Sequence, residues 1–276
     1  MIKQLNTAKN GKLALYVALL VLVVLLMVGI KNCGSKITVK SPTPAKSGGD
    51  TLDVAIEYSP ISYYTYADTL GGFNYDLLRL ISKRMDRPMK FHPVVTLTKS
   101  LSELNEGTFD LLAAQIPVTT ETQKDYLFTD VVYLDKQVLV QRKDAEGNVK
   151  VKSQLDLADK TVWIVKGSPM KERVEALAQE IGETIHIKAD DQYGPEQLFL
   201  RVVAGEIDYA VINCRIAAEM AQKYEGKIDV MTAISFSQFQ SWVLKKGNGK
   251  LQQELNKQLK AVRADSSYHQ IAKKYL

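Results

Sequence analysis

The sequence predicts an α/β fold of two lobes joined by a hinge, preceded by one N-terminal transmembrane helix. Three observations carry that prediction. Strand-like and helix-like apolar patterns alternate in two successive units along residues 51–236; the chain then returns through one further strand at 237–247; and an uncharged run of 18 residues precedes everything else. Repeated β-α-β units imply a mostly parallel sheet with helices on both faces. Two passages of the chain between the units imply a hinge.

The uncharged run is Leu13–Ile30, "LALYVALLVLVVLLMVGI". As a helix it would extend roughly 27 Å, close to the hydrocarbon thickness of a bilayer. A cleaved signal peptide calls for a shorter apolar run and a small-residue cleavage site, so an uncleaved signal anchor is expected. Cys33 is a candidate for lipidation, although Lys31 and Asn32 stand where small residues normally precede a lipidated cysteine. Residues 1–12 then form a cytoplasmic tail, 13–30 the span, and the Pro/Gly/Ser-rich 31–50 a linker. Lysines flank both ends of the run, so charge does not orient it.

Composition bounds the rest. With 46% hydrophobic and 24% charged residues the chain is globular in class. Residues 1–50 hold seven lysines and one acid; subtracting these from the 36 basic and 31 acidic residues leaves 29 and 30. The folded part is therefore near neutral, and no nucleic-acid surface is expected, since that needs a clustered basic face.

The elements follow in order. "TLDVAIE" (51–57) alternates as a strand, and a tyrosine-rich loop runs from Tyr58 to Gly72. Apolar residues at helical spacing (Leu77, Leu78, Ile81, Met85) make a helix that stops before Pro88. "MKFHPVVTL" is the next strand, a short helix ends at Gly107, and "LLAAQI" (111–116) is a buried strand. One strand is expected across "YLDKQVLVQRK" (133–143). The second unit reads strand 161–167, helix 168–182, strand 184–190, helix 194–206, strand 207–213 and helix 214–226. One strand across "SQFQSWVLKKG" (237–247) and two closing helices complete the chain. The expected lobes are 51–140 plus 237–276, and 141–236. A cleft between lobes is a common ligand site.

Motifs for catalysis are missing: the sequence has no GxSxG, HExxH, GxxxxGK[ST] or CxxC. His92, His186 and His269 share no ligand spacing, so neither a metal nor a cofactor is expected. Cys33 lies in the linker, so no disulfide with Cys214 is expected, and Cys214 reads as a small buried apolar residue.

The order of these segments resembles the bacterial extracellular solute-binding proteins of family 3, which serve amino-acid importers. The stretches that carry the resemblance are "GGFNYDLLRLISKRM", "LNEGTFDLLAAQIPVTTETQKDYLFTD", "LADKTVWIVKGS" and "VAGEIDYAVIN", spread across 51–276. In detail, "LLAAQIPVT" with "YLFT", and "SQFQSW", are similar to the sensor domain of the membrane-bound lytic transglycosylase F family. The muramidase-like half of that family has no room before Leu276, so no lytic enzyme is expected. The resemblance implies a periplasmic-binding-protein type II fold on the periplasmic side of the inner membrane.

Candidate contacts divide into those the resemblance places and those the residues suggest. Thr119 fits a helix N-cap, with Glu121 suitably placed against the helix dipole; a free helix start there would also offer amides to an anion. The resemblance places a carboxylate-clamping arginine at Thr122 and an ammonium-pairing aspartate at Asn213. Both charges are missing here. A zwitterion in a closed cleft needs each charge paired, so simple α-amino acids are disfavoured; a peptide or cell-wall fragment is an alternative ligand. Lys166 and Ser168 open a helix before Pro169 and form a second candidate anion corner, with Ser168 as N-cap and Pro169 at the first helical position. Tyr63 and Tyr64 fall where the family packs aromatics on ligand. Glu57 is a candidate replacement partner for an ammonium group and Arg215 a displaced positive clamp. By alignment alone, Gln115, Pro117, Gln137 and Gln238 line the cleft or hinge.

The expected function is that of a membrane-tethered, non-enzymatic solute-binding protein that closes on a small ligand. Two other readings stand beside it: the binding component of an amino-acid ABC importer, with a permease as partner, and a degenerate, non-binding scaffold in cell-wall machinery. A small dehydratase-like enzyme would need Glu57 or Lys166 as its titratable group.

Overall fold

A computed structural model describes residues 50–276. The expected tail, span and Cys33 lie outside the described residues. Among the described residues no helix is long and apolar enough to cross a membrane.

Five strands form the first sheet in the order β4-β1-β5-β14-β6, made from β1 (Leu52–Glu57), β4 (Met89–Val94), β5 (Leu111–Ala113), β6 (Tyr126–Phe128) and β14 (Val243–Lys245). Between β1 and β4 the tyrosine-rich segment, expected as a loop, folds into a small hairpin, β2 (Tyr64–Tyr66) and β3 (Thr69–Gly71). β1 is central and parallel to both neighbours, registering Leu52 on Met89 and Val54 on Leu111. A strand buried on both faces has to be apolar nearly throughout, and five of the six residues of β1 are buried. The exception within the run is Asp53, whose carboxylate takes the Nε2 of His92 at 2.8 Å. That contact gives His92 a structural role.

Helix α1 (Phe73–Met85) buries Phe73, Leu77, Leu78 and Ile81 on one face and ends at Asp86, in a left-handed conformation ahead of Pro88. Its start is fixed by Gly72, at φ +124°, where a Cβ would lie 2.3 Å from the carbonyl oxygen of Ser62. Helix α2 spans Leu97–Glu106, and a four-residue turn of helix, α3, spans Thr122–Asp125.

The second sheet runs β10-β9-β11-β8-β12, from β8 (Gln137–Arg142), β9 (Thr161–Val165), β10 (His186–Asp190), β11 (Tyr209–Asn213) and β12 (Ile228–Asp229). β9 is parallel to β10 and β11, whereas β8 lies antiparallel to β11. Helices α4 (Met170–Ile181), α5 (Pro195–Ala204) and α6 (Cys214–Ala221) connect its strands. α4 begins one residue later than expected: its first residue is Met170 and Pro169, not Ser168, is its N-cap. Helices α7 (Gly249–Ala264), which buries Leu251, Leu255, Leu259 and Val262, and α8 (Ser267–Tyr275) close the chain.

Two expected strands are each broken in the structure. "YLDKQVLVQRK" divides into β7 (Tyr133–Asp135) and β8, and "SQFQSWVLKKG" into β13 (Gln238–Gln240) and β14. β7 and β13 form a two-stranded ribbon of their own, Gln238 on Asp135 and Gln240 on Tyr133. Each passage between the sheets therefore changes hydrogen-bonding partner part-way. The first passage joins the second sheet at Gln137, ahead of the 140/141 boundary expected from sequence.

Candidate ligand site at the hinge

The β7/β13 ribbon draws together the ends of β1, β5, β8 and β11, and a cluster of buried polar side chains collects there. Gln115 (6% exposed), Asp135 (5%), Gln137 (1%), Asn213 (2%), Gln240 (1%) and Ser241 (2%) belong to it, with the buried Tyr133. Each carries a buried polar atom without a hydrogen-bond partner: both side-chain atoms of Gln115, the Tyr133 hydroxyl, Asp135 Oδ2, Gln137 Oε1, Asn213 Nδ2, Gln240 Oε1 and Ser241 Oγ. Buried polar groups are nearly always paired, and leaving one unpaired costs about 1–3 kcal/mol. A concentration of them at one place marks a site that is completed from outside the chain.

Glu57 closes β1 beside this cluster. Burial pushes its carboxyl up to about 7, against the opposing pull of Gln115 and Ser59, and the nearby Asp135 raises it further. Ser59 donates its hydroxyl to Glu57 Oε2 at 3.5 Å. Burial likewise takes Asp135 up to about 6, with the amide of Lys136 and the charge of Arg215 pulling the other way. Lys136 N donates to Asp135 Oδ1 at 2.8 Å, which leaves Oδ2 without a partner. The Tyr133 hydroxyl is held well above its ordinary range by burial and by these two acids.

Of the residues singled out in sequence, Glu57, Gln115, Gln137, Asn213 and Gln238 fall at this cluster. Asn213 pairs with Gln137 across β11 and β8, and Gln137 Nε2 donates to Gln238 Oε1 at 3.1 Å. Pro117 bridges Gln240 in the ribbon.

The threonine corner turns out to be closed upon itself. The Thr122 amide donates to Thr119 Oγ1 at 3.2 Å and the Thr119 amide to Thr122 Oγ1 at 3.0 Å. The Thr122 hydroxyl is directed at the carbonyls of Pro117 and Thr119, at 3.3 and 3.1 Å. The Thr119 hydroxyl thus accepts an amide of this turn, the Thr119 and Thr122 amides are bonded within it, and the N-cap of α3 is Glu121. At the second corner the Ser168 hydroxyl donates back to the Val165 carbonyl at 2.5 Å instead of capping α4. Lys166 is exposed and pairs with Asp191 at 3.3 Å.

Three further expectations are redirected. Tyr63 is buried edge-on against Tyr58 and Tyr75, the packing arrangement of a core residue. Arg215 sends its guanidinium to the carbonyls of Leu134 (3.2 Å) and Leu276 (2.5 Å) and lies over the Tyr133 ring. Cys214 is half-buried, and burial raises its thiol. Tyr64 lines a groove of about 730 Å³ with Tyr58, Tyr66, Glu196 and Lys223, so residues of both lobes form its walls. A neighbouring groove of about 580 Å³ reaches Asp135, Lys136, Cys214 and Arg215.

The seam between lobes is tight on its other side. Gly167 has φ +77°, and a Cβ there would lie 2.7 Å from Thr98 Cγ2 of α2. Behind the cluster the first lobe is held by a buried relay: Trp242 Nε1 donates to Asn74 Oδ1 (2.9 Å), Asn74 Nδ2 to Ser62 Oγ (2.8 Å), and Ser62 Oγ to the Ala113 carbonyl (3.4 Å).

Tyr133, Asp135, Gln240 and Ser241 were missed in sequence. An acid inside the apolar run "VVYLDKQVLV" was the available signal for Asp135; the other three carry none.

Comparison with known proteins places this geometry. Membrane-bound lytic murein transglycosylase F of Aeromonas hydrophila is 28% identical over 195 residues, 71% of this chain but 38% of that protein. The chain thus spans well under half of that relative. The L-cystine-binding protein TcyA of Bacillus subtilis is 26% identical over 83% of this chain and 82% of its own length. An ancestral arginine-binding protein bound to arginine superposes with a TM-score of 0.71 at 25% identity, covering 83% of this chain and 99% of that one. The two-lobed α/β architecture is therefore that of periplasmic binding proteins. A family model matches residues 51–276, nearly the whole of the described part. This chain belongs to the bacterial extracellular solute-binding proteins, family 3.

Proposed function

We propose that the protein is an extracytoplasmic solute receptor, tethered through its N-terminal segment, that closes its lobes on a small ligand at the hinge cluster. The observation that carries this reading is the set of buried polar atoms without partners contributed by β7, β8, β11 and β13 and by Gln115 and Ser241 beside them. A ligand satisfying groups from both lobes has differential affinity for the closed form, which is what drives closure. The ligand is not a simple α-amino acid, because the threonine corner bonds its Thr119 and Thr122 amides internally, the Ser168 hydroxyl turns back on Val165, and Asn213 brings no charge. Peptides and cell-wall fragments are in scope, through the likeness to the transglycosylase relatives. We read the site as a binding site and not a catalytic one.

A second reading, the binding component of an amino-acid importer, is favoured by the names of the cystine- and arginine-binding relatives. One experiment separates the two. Thermal unfolding of the protein is followed against the twenty amino acids, short peptides and muropeptides. A ligand at a hundred times its dissociation constant adds about 2.7 kcal/mol. Stabilisation by ordinary α-amino acids supports the importer reading; stabilisation confined to other solutes supports the first. No stabilisation by any solute would leave the degenerate scaffold.

A further inference from the structure

We propose that the outer face of the β7/β13 ribbon docks on a lipid bilayer bearing anionic headgroups, with Phe236 and Phe239 as the side chains that enter it. The inference goes beyond the receptor reading and takes from it only the tether at the N-terminal segment.

The ribbon has two unlike faces, as alternation along paired strands requires. Tyr133, Asp135 and Gln240 are buried in the hinge cluster. Between them Leu134 and Phe239, directly opposed in register, are 49% and 57% exposed. Phe236, in the loop that enters β13, is 89% exposed and so stands out from the surface. Large apolar side chains gathered on one short ribbon differ from the single scattered ones that any surface carries. The ribbon's edges are already taken at this point. The Val118 amide donates to the Phe239 carbonyl at 3.1 Å, and Arg215 Nε to the Leu134 carbonyl at 3.2 Å. What stands uncovered is a face and not an edge, so the ribbon does not offer itself to a strand of a second copy.

Charge assigns the occupant. A groove of about 580 Å³ borders Leu134 and holds Lys136 and Lys273; another of about 610 Å³ borders Phe239 and holds Lys246. None of these lysines is in an ion pair among the described residues, and Lys246 donates to the Gln123 carbonyl. The acids bordering the same grooves are engaged: Asp130 by Asn256, Glu219 by Gln222 and Asp135 by the Lys136 amide. Apolar tips ringed by lysines without acidic partners match a bilayer surface. Its interface takes the apolar groups, and its anionic headgroups take the ammonium groups. A protein partner fits less well, because lysine is depleted from protein interfaces.

The tether makes a weak contact sufficient. Residues 31–50 separate the folded part from the expected anchor by at most about 70 Å of extended chain. A surface held that close meets lipid at high effective concentration.

The test uses the full chain assembled into nanodiscs through its N-terminal segment. The discs contain acyl-brominated phosphatidylcholine, with or without phosphatidylglycerol. Phe236→Trp supplies the reporter, read as the difference from wild type, whose own tryptophans are Trp163 and Trp242. In discs with phosphatidylglycerol the reporter should be quenched by bromine and shifted to the blue. It should recover in 1 M salt, where the screening length falls to about 3 Å. Lys136→Glu combined with Lys246→Glu should lower the docking equilibrium constant at least about tenfold. Tyr193→Trp, beside Gly194 at the seam, should stay unquenched, and circular dichroism checks that each variant is folded. A reporter that is not quenched overturns the inference, as does quenching equal to that of Tyr193→Trp. Quenching indifferent to phosphatidylglycerol, salt and the lysine reversals also overturns it. A blue shift that instead follows protein concentration, with a doubled mass in light scattering, gives the face to a second copy. If the chain does not enter the discs, the tether reading fails separately. The reporter is then mixed with vesicles of the same lipids, where quenching that requires phosphatidylglycerol supports the docking face and its absence overturns it.

Discussion

Replacing Glu57 with glutamine should flatten the pH dependence of stability of the ligand-free protein. The carboxyl titrates at 4.5 when exposed and near 7 in the fold. A raised acid holds its proton longer in the folded state than in the unfolded one. Its contribution is complete below pH 4.5 and is lost as pH rises through about 7. By linkage, the wild type should lose about 2.5 kcal/mol from this group between pH 5 and 8. Asp135, raised from 3.8 to about 6, adds a smaller loss of the same sign, about 1.4 kcal/mol over the same interval. Urea denaturation followed by far-ultraviolet circular dichroism at pH 5, 6, 7 and 8 measures both. Wild type and Glu57→Gln should agree near pH 5, and the variant should be about 2.5 kcal/mol the more stable at pH 8. At this chain length that is roughly 5–10 °C in midpoint. A variant that falls as steeply as wild type, or a wild type whose stability is flat or rises over this range, would refute the claim that Glu57 is held protonated by burial.

Other substitutions probe the frame around it. Asn74→Ala removes the partner of the buried Trp242 Nε1, and should cost about 1–3 kcal/mol in urea denaturation; a loss below about 0.5 kcal/mol would mean that the relay contributes little. Gly167→Ala sets a Cβ against Thr98 at a left-handed backbone position, at about 1–2 kcal/mol. Its radius of gyration in solution scattering should rise, and the added change Thr98→Ala should reverse part of that rise. Thr122→Val breaks the reciprocal caps and should cost about 1 kcal/mol while leaving affinity for any stabilising solute within about twofold. A large loss of affinity would restore the threonine corner to the binding site.

Much of the fold was legible because each strand and helix carries its own periodicity. β1, α1, β9, α5 and β11 are read directly from apolar spacing. The hinge was not, because "YLDKQVLVQRK" has uniform strand character while its hydrogen-bonding partners change at Lys136, and partner exchange leaves no local mark. The same limit applies to the site. Loss of charge at Thr122 and Asn213 could be read from residue type. That Thr122 turns its hydroxyl onto Thr119, and that Ser168 bonds back to Val165, are outcomes of loop geometry. Arg215 shows the converse case: its charge suggested a clamp, and the packing of α6 against Leu134 and Leu276 gave it a backbone to hold instead.

The paired ribbon of β7 and β13 also governs how the molecule can move. Because both passages between the sheets run side by side and remain hydrogen-bonded to each other, they cannot swing independently. Twisting one without the other would break that ladder. Motion is thereby reduced to a single angular coordinate, like a door on two pins of one axle. Fluorophore pairs spanning the seam at different sites should then report one and the same opening equilibrium.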